Sequence, residues 1–305
     1  MRKVGGAAVA RPRGAALGAV LACLALFLTS CGDTPTTEPA PTPGSTGTTA
    51  TATRGPIATD SPTAAPTGPT TTPSRRPSTP TTTPKPTTAP TSGVPSRLAG
   101  TDWERIPTTR KVVALTFDAG SDRAAVQSVL ATLRREGVRA TFFMTGAWAD
   151  RYPGTAAEIA ARHRIGNHSQ THPHFTQLSD ARIRSELSQA AQRIRQASGH
   201  DPAPLFRFPF GDRDAHRIRV VNDSGYVPVR WTVDTLGWKG TSGGMTADRV
   251  VQRVMAGLRP GEIVLMHVGS NPDDHSTLDA DALPAMIGRL RGAGYTFVTL
   301  DALIG

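Results

Sequence analysis

Cysteine is scarce in this 305-residue chain, which has only Cys23 and Cys31 and none after residue 31. Disulfide bonds are therefore excluded as a source of stability for everything that follows residue 31. Aromatic residues make up 5% of the sequence, and no basic run is interleaved with them. Nothing in the sequence thus favours nucleic-acid binding. The sequence also contains no internal repeat.

The formal net charge of +10 is spread unevenly along the chain. Four of the positive charges lie within the first 30 residues, and residues 32–97 carry five Lys or Arg against three Asp or Glu, which leaves +4 from residue 98 onward. This small excess is nearly all arginine. It is compatible with a domain that works among anionic wall polymers, and it gives no support for a nucleic-acid partner.

Residues 1–30 have the pattern of an export signal. A basic start is followed by an apolar run over residues 15–28 that is too short to span a bilayer comfortably. The run ends in Leu28-Thr29-Ser30-Cys31, which resembles the lipobox of bacterial lipoproteins, where the cysteine is lipidated and becomes the new N-terminus. The alternative is a plain secretory signal cleaved near this point. We expect an extracytoplasmic protein that is lipid-anchored through Cys31 to the outer face of the cell membrane.

Residues 31–97, which follow the signal, are almost wholly Thr, Pro, Ala, Ser and Gly and contain no aromatic residue. Such a segment has too little apolar surface to offset the entropy of ordering it, so we expect a disordered linker. Its proline content favours polyproline II, and at about 3.1 Å per residue it would reach on the order of 200 Å. That length would carry a domain into a thick cell wall, although a linker with no reach requirement is the alternative.

Residues 98–305 suffice for one well-buried domain. Strand-like stretches are predicted at 111–117, 140–145, 164–168, 204–208, 226–233, 262–267 and 295–300, and helices at 122–136, 154–163, 179–198, 246–258 and 279–292. This alternation predicts an α/β fold with a mostly parallel sheet and helices outside it. Seven strands suggest a closed or nearly closed barrel, with an open doubly wound sheet as the alternative. No phosphate-binding glycine loop follows the first strand, which argues against a nucleotide-binding sheet.

Polar residues stand at the ends of several of these apolar runs. They are Asp118, Arg207, Asp234 and His267. The C-terminal ends of parallel barrel strands open onto one face, so residues that are distant in sequence converge there. We therefore expect these side chains to form one site.

His168 and His172 lie four positions apart, a spacing that lets both imidazoles bind one metal ion. Taken alone, such a pair is equally typical of surface polar residues. His174 is a further candidate with the same ambiguity.

Several of these residues belong to short motifs that occur in a fixed order along the chain. Five occur: Thr116-Phe117-Asp118-Ala119-Gly120, His168-Ser169-x-x-His172-Pro173, Arg207-Phe208-Pro209-Phe210-Gly211, Asp234-x-x-x-Trp238 and Leu265-Met266-His267. Together they resemble the motifs of the polysaccharide deacetylases, which are carbohydrate esterase family 4 or the NodB homology domain. The similarity covers nearly the whole folded part, about residues 110–302.

The resemblance implies a distorted (β/α) barrel and metal-assisted hydrolysis of an acetyl group from an amino sugar. The metal is a divalent ion, commonly zinc in this family, with cobalt or another ion as alternatives. Carried over by motif, the implied roles are general base for Asp118, metal ligands for His168 and His172, partner of the base for Arg207, general acid for His267 and orientation of that acid for Asp234. The oxyanion would lie between the metal and the backbone N–H of Phe210. Trp238 and Leu265 would wall an acetyl pocket, with plain core packing as the alternative.

The sequence departs from the family pattern at two positions. Ala119 stands where a second aspartate usually provides the third metal ligand, and two imidazoles alone hold an ion loosely. Asp122 is a candidate replacement, but its place before a predicted helix favours a capping role. Asp118 itself or water are other ways to complete the shell. Gly237 stands where the fourth motif usually has its second aspartate.

The expected function is that of a lipid-anchored deacetylase acting on N-acetylated cell-wall or chitin-like glycan, with peptidoglycan as the preferred substrate. An esterase for O-acetylated polysaccharide would use the same site. From a different class, a catalytically inactive glycan-binding lipoprotein is the alternative, with Ala119 as the lesion. The expected partners are an acetylated glycan and the membrane that holds the lipid anchor, and the protein is expected to be a monomer.

Overall fold

Strands and helices alternate along residues 94–305, the part of the chain that the computed structural model describes. The strands are β1 (Val112–Ala119), β2 (Thr141–Met144), β3 (Arg164–Asn167), β4 (Leu205–Phe206), β5 (Val227–Pro228), β6 (Val233–Asp234), β7 (Glu262–His267) and β8 (Thr296–Phe297). The α-helices are α1 (Val126–Arg135), α2 (Gly146–Arg151), α3 (Pro153–Ala160), α4 (Asp180–Ser198), α5 (Ala215–Asp223), α6 (Ala247–Ala256), α7 (Leu278–Gly292) and α8 (Asp301–Ile304).

All strand pairs are parallel, and β1 lies at the centre of the sheet. The strand order is β5-β4-β3-β2-β1-β7-β6, while β8 pairs with the start of β1. Seven strands thus follow one continuous path, and the helices surround them. The predicted α/β fold with a distorted barrel of about seven parallel strands is confirmed.

β1 is buried along its whole length, as expected for a strand covered on both faces. Leu115 and Phe117 pack with residues of α1 and α7 in one apolar cluster, whereas Ala114 packs with Phe143 and Ile263 in a second cluster inside the barrel. The side chains of β1 therefore alternate between the helix layer and the barrel interior. Asp118 belongs to the interior set by this alternation.

The stretch predicted as one strand at 226–233 is two short strands in the structure. β5 pairs with β4 and β6 pairs with β7, so the two strands stand at opposite ends of the strand order. Only residues 229–232 separate them in sequence, and this segment therefore brings the two ends of the curled sheet together. The physical reason for the break is that one continuous strand cannot pair with β4 and β7 in a single register.

The end of the barrel at which the strands begin is closed by apolar side chains. Leu98, Leu300 and Leu303 are each at most 2% exposed and pack into the interior cluster. The backbone N–H of Leu300 donates to the hydroxyl of Thr141, the first residue of β2. Arg97 donates to the backbone carbonyls of α8. The chain thus enters the domain at the sealed end.

Three helices were not predicted, namely α2, α5 and α8. Two of them, α2 and α8, have six and four residues, too few for apolar periodicity to identify them. The prediction for α4 is close: Ser179 caps it by accepting a hydrogen bond from the backbone N–H of Arg182, and Gly199 ends it in the left-handed region. Within residues 94–305, none of the helices is long and apolar enough to cross a membrane. The predicted signal peptide, Cys31 and the linker up to residue 93 lie outside the described residues.

Candidate active site

The C-terminal ends of the strands bring together the polar residues expected to meet there. Asp118 lies near the end of β1, Asp234 ends β6 and His267 ends β7. With His168 and His172 they line a cavity of about 460 Å³. The sequence-based expectation of one common site at this face therefore agrees with the structure.

Arg207 directly follows β4, and its fully buried side chain reaches the break between β5 and β6. Its Nη1 lies 2.7 Å from Asp118 Oδ1, and its Nη2 donates to the hydroxyl of Thr116. Nε and Nη2 also donate to the carbonyls of Val229 and Arg230, and neither carbonyl accepts a backbone hydrogen bond from residues 94–305. One guanidinium thus provides hydrogen-bond donors to the two carbonyls at the break and neutralises the carboxylate of Asp118, the candidate base.

The charges around Asp118 keep its carboxylate ionised. Burial alone would raise the pKa of Asp118, but the Arg207 guanidinium, together with His168 and His267, outweighs burial and lowers the pKa. An ionised carboxylate can accept a proton at neutral pH, as a general base must.

The two imidazoles of His168 and His172 point at each other through their Nε2 atoms, which are 3.2 Å apart. Nδ1 of His168 lies 2.9 Å from the carbonyl of Arg207. A carbonyl only accepts hydrogen bonds, so Nδ1 carries the proton and Nε2 of the neutral ring keeps a lone pair. Burial lowers the pKa of both rings, to about 4 for His172, where the neighbouring His168 charge adds to the effect. Two neutral imidazoles are suited to bind a divalent ion.

The loop that carries the two histidines is held by Glu186 of α4, which is fully buried. Its carboxylate accepts hydrogen bonds from the backbone N–H groups of Gln170 and Thr171 and from the Thr171 hydroxyl. Arg182 donates to the same carboxylate. Glu186 therefore positions the imidazoles without touching them.

A third protein ligand beside the imidazoles is not evident. Within residues 94–305, no group of three or more His, Cys, Asp or Glu side chains is arranged to hold a metal ion. Ala119 is fully buried in the apolar cluster outside the barrel. Oδ2 of Asp118 lies 3.4 Å from Nε2 of His168. Nε2 of His168 thus lies near one other imidazole nitrogen and one carboxylate oxygen, but the three groups do not form a set of metal ligands.

Asp122, the candidate replacement ligand, is engaged elsewhere. Its carboxylate accepts from the backbone N–H and hydroxyl of Ser270, in the loop after β7, and from the backbone N–H of Ala124. The predicted capping role also needs correction, since α1 begins at Val126 and its N-cap is Ala125, which makes no side-chain cap. Asp122 instead stabilises the turn that precedes the helix and ties it to the β7 loop.

The carboxylate in ion-pair contact with His267 is that of Asp279, in the first turn of α7. Its Oδ2 lies 3.7 Å from His267 Nδ1. Asp234, predicted to orient this ring, accepts instead from the backbone N–H of Leu236 and from Nε1 of Trp238 at 3.4 Å. Burial lowers the pKa of His267, but Asp279, Asp118 and Asp234 outweigh it, so the pKa is raised. A ring that stays protonated near neutral pH suits a general acid.

The predicted pocket residues line the cavity as expected. Phe210 and Trp238 are 59% and 47% exposed, whereas Leu265 is buried at the cavity floor. Phe210 has φ 58° and stacks on His174 with ring centroids 4.2 Å apart. Among the turn and loop hydrogen bonds of residues 94–305, none uses the Phe210 N–H as donor. That N–H therefore remains available to an oxyanion.

Sequence reasoning missed three residues of the site: Glu186, Asp279 and Trp231, which also lines the cavity. Glu186 and Asp279 act from helices, and neither follows a strand, so the strand-end pattern gave no signal for them. A charged residue among the apolar positions of a helix was the available clue, since burial of a lone carboxylate requires partners.

The comparisons with known proteins agree on one family. The polysaccharide deacetylase family model matches residues 105–229. A peptidoglycan-N-acetylglucosamine deacetylase of Bacillus cereus is 32% identical over 65% of this chain and 70% of that protein. Another from Listeria monocytogenes is 35% identical over 65% of this chain, a match that spans only 40% of that protein.

Solved structures extend this likeness to proteins without activity. A pseudoenzyme of carbohydrate esterase family 4 from Bacillus anthracis superposes with a TM-score of 0.60 at 30% identity, covering 66% of this chain and 68% of that chain. A mutant of that pseudoenzyme with restored enzymatic activity superposes with the same TM-score at 31% identity, covering 66% and 70%. On the combined evidence of sequence and fold, this chain belongs to the polysaccharide deacetylase family, whose deacetylases are hydrolases that act on the amide bonds of polysaccharides.

Proposed function

We propose that this protein removes N-acetyl groups from amino sugars of a cell-wall polymer, with peptidoglycan as its substrate. The observation that carries the proposal is the pairing of Asp118 with His267 on the adjacent strands β1 and β7. A carboxylate with a lowered pKa and an imidazole with a raised pKa thus face one cavity, as a general base and a general acid require.

His168 and His172 are suited to hold a divalent ion, zinc or cobalt, because their neutral Nε2 atoms converge. Such an ion, when bound, lowers the pKa of its water and polarises the acetyl oxygen. Asp118 then takes the proton of the attacking water. The Phe210 N–H stabilises the oxyanion, and His267 gives its proton to the departing amine nitrogen as the C–N bond breaks.

The test measures acetate release by purified protein that has been stripped with a chelator and reloaded with zinc or cobalt. Peptidoglycan and chitooligosaccharides serve as amide substrates, and O-acetylated xylan serves as an ester substrate. We expect metal-dependent acetate from the amide substrates and a loss of at least ~100-fold in Asp118→Asn and His267→Ala. Asp248→Asn, in the first turn of α6, is the matched control and should keep full activity.

A second candidate function is glycan binding without catalysis, and Ala119 is the observation that favours it. With two imidazoles and no aspartate at position 119 as third ligand, the metal affinity of the cavity is expected to be low. Protein that takes up no metal at micromolar zinc, releases no acetate and still binds peptidoglycan would support this function against ours.

We further propose that Cys31 anchors the protein by a lipid to the outer face of the membrane. The lipobox-like sequence Leu28-Thr29-Ser30-Cys31 supports this location. Cys31→Ala should move the protein from the membrane fraction to the medium. Unchanged fractionation of that variant would contradict the anchor.

A further inference from the structure

Asp279 is a buried carboxylate that joins two strand ends of the cavity. It lies in the first turn of α7 and is 3% exposed. Its Oδ2 accepts from the backbone N–H of His267 at 2.8 Å, and its Oδ1 accepts from the hydroxyl of Thr235 at 2.7 Å. The carboxylate therefore fixes the backbone at the end of β7 and the residue that follows β6.

The nitrogen of His267 that faces Asp279 lacks any other partner. Nδ1 is buried, makes no hydrogen bond within residues 94–305, and lies 3.7 Å from Oδ2 of Asp279. Catalytic hydrogen bonds are often long before substrate binds and shorten in the reacting complex. The ring is thus oriented with Nδ1 toward the carboxylate, which leaves Nε2 for the cavity.

Gly237 makes room for this carboxylate. A Cβ at position 237 would lie 2.3 Å from Oδ1 of Asp279 and 2.6 Å from its Cγ. No side chain at position 237 is compatible with the observed place of Asp279, so the absence of a side chain there and the carboxylate from α7 form one arrangement.

We propose that Asp279 is the positioning residue of the general acid, holding the His267 ring and stabilising its protonated form. This inference rests on the proposed function, because it assigns a role to His267 in the same reaction. Protonated His267 donates Nδ1–H to Asp279 and carries on Nε2 the proton that passes to the leaving amine. The bond from Nε2 to hydrogen breaks as the new N–H bond forms on the amine.

The titratable groups that interact with His267 are the carboxylates of Asp118 of β1, Asp234 of β6 and Asp279 of α7, and the imidazoles of His168 and His172 in the loop after β3. Asp118 is paired with Arg207, and Asp234 is bonded to Leu236 and Trp238. Asp279 alone of these carboxylates is in ion-pair contact with the ring, within residues 94–305. It is therefore the carboxylate of the three that acts on the ring by direct contact.

The test compares Asp279→Asn with Asp281→Asn in the full-length protein. Asp281 lies in the same first turn of α7 but is exposed, so it controls for the effect of charge at the helix start. An opposite charge nearby shifts a pKa by about 1 to 3 units, so Asp279→Asn should move the alkaline limb of kcat down by at least about one pH unit. At pH values above both limbs this lowers kcat by about tenfold, with KM unchanged. Asp281→Asn should behave as the parent protein.

A second measurement keeps the proposal testable if the protein releases no acetate. The ring of His267 is followed by NMR across pH, with its signal assigned by loss in His267→Gln. A lower pKa of His267 in Asp279→Asn without activity in the parent would support the role of Asp279 while refuting the proposed function. If Asp279→Asn releases acetate with an unchanged alkaline limb of kcat and an unchanged pKa of His267, the role of Asp279 is refuted and the proposed function is not. A lower melting temperature with both readouts unchanged would also refute it.

Discussion

Nη1 of Arg207 lies 2.7 Å from Oδ1 of Asp118, and the same guanidinium donates to the two carbonyls left free where β5 and β6 separate. The cation that neutralises the base therefore also completes the barrel. Its plane lies over the ring of Phe143, with Cζ 4.2 Å from the ring centroid. Stability and charge at the site are thus coupled through one side chain.

The first prediction concerns Arg207→Met. Loss of the cation leaves a buried carboxylate and two buried carbonyls without partners, so the free energy of unfolding should fall by about 3 to 5 kcal/mol. Urea unfolding measures it. Arg219→Met, at an exposed position of α5, should change stability by less than about 0.5 kcal/mol. Adding Asp118→Asn to Arg207→Met should recover part of the loss, and the absence of any recovery would contradict the pairing.

The second prediction concerns Glu186→Gln. The amide keeps one carbonyl acceptor but loses the charge and the second acceptor that hold Gln170, Thr171 and Arg182. The loop that carries His168 and His172 should become more mobile, and the affinity of the protein for zinc should fall by about 10- to 100-fold. Isothermal titration with zinc measures the change. Glu158→Gln, on the exposed face of α3, is the control, and equal affinities in both variants would refute the positioning role.

The third prediction concerns Ala119→Asp. Ala119 is the last residue of β1, and a carboxylate there must turn from the apolar cluster to the imidazole pair to act as a third, anionic ligand. With that turn, zinc should bind at least ~10-fold more tightly and acetate release should rise. Ala119→Asn has nearly the same volume without the charge and should show neither gain. Because position 119 is fully buried, melting temperatures must be recorded for both variants. A stable aspartate variant with unchanged metal affinity would show that the side chain does not reach the ion.

The fourth prediction concerns Glu262 at the start of β7, whose Oε1 has no hydrogen-bond partner within residues 94–305. Burial raises the pKa of Glu262 to about 7. In the unfolded chain a glutamate titrates near pH ~4.3, so above that pH the unfolded state is ionised while the folded state still binds the proton. Stability is therefore lost as pH rises from about 4.3 through the folded pKa, and the loss is complete above it.

Glu262→Gln should remove this dependence. We expect its melting temperature to exceed that of the parent by at least about 3 °C at pH 8 and to match it at pH 4, as measured by differential scanning calorimetry. The exposed Glu158→Gln should follow the parent at both values. A parallel shift of Glu262→Gln at both pH values would mean that packing, and not ionisation, is responsible.

Much of the fold could be predicted from local patterns. The long apolar run of β1 and the helical periodicity of α4 are signals contained within one element, and both elements were found close to their observed bounds. The break at 229–232 could not be found this way, because the strand-forming residues Val229, Trp231 and Thr232 continue through it. The break arises from pairing with two different strands, which is a property of the closed barrel and not of the segment.

The site residues likewise fall into those that a local pattern predicts and those that depend on contacts between distant segments. Asp118, Arg207 and His267 follow apolar runs, and the sequence predicts their meeting because parallel strands end on one face. The partner of His267 could not be predicted, because Asp279 reaches it from a helix across the gap at Gly237. Likewise, nothing in the sequence around Asp122 indicates that its carboxylate bonds to Ser270, far along the chain.

The chain enters the domain where Leu98 and Leu303 seal the barrel, and the cavity opens at the other end of the strands. The residues before Val94 therefore join the domain at the end opposite the mouth of the cavity. An attachment at that end leaves the mouth of the cavity clear for a long polymer.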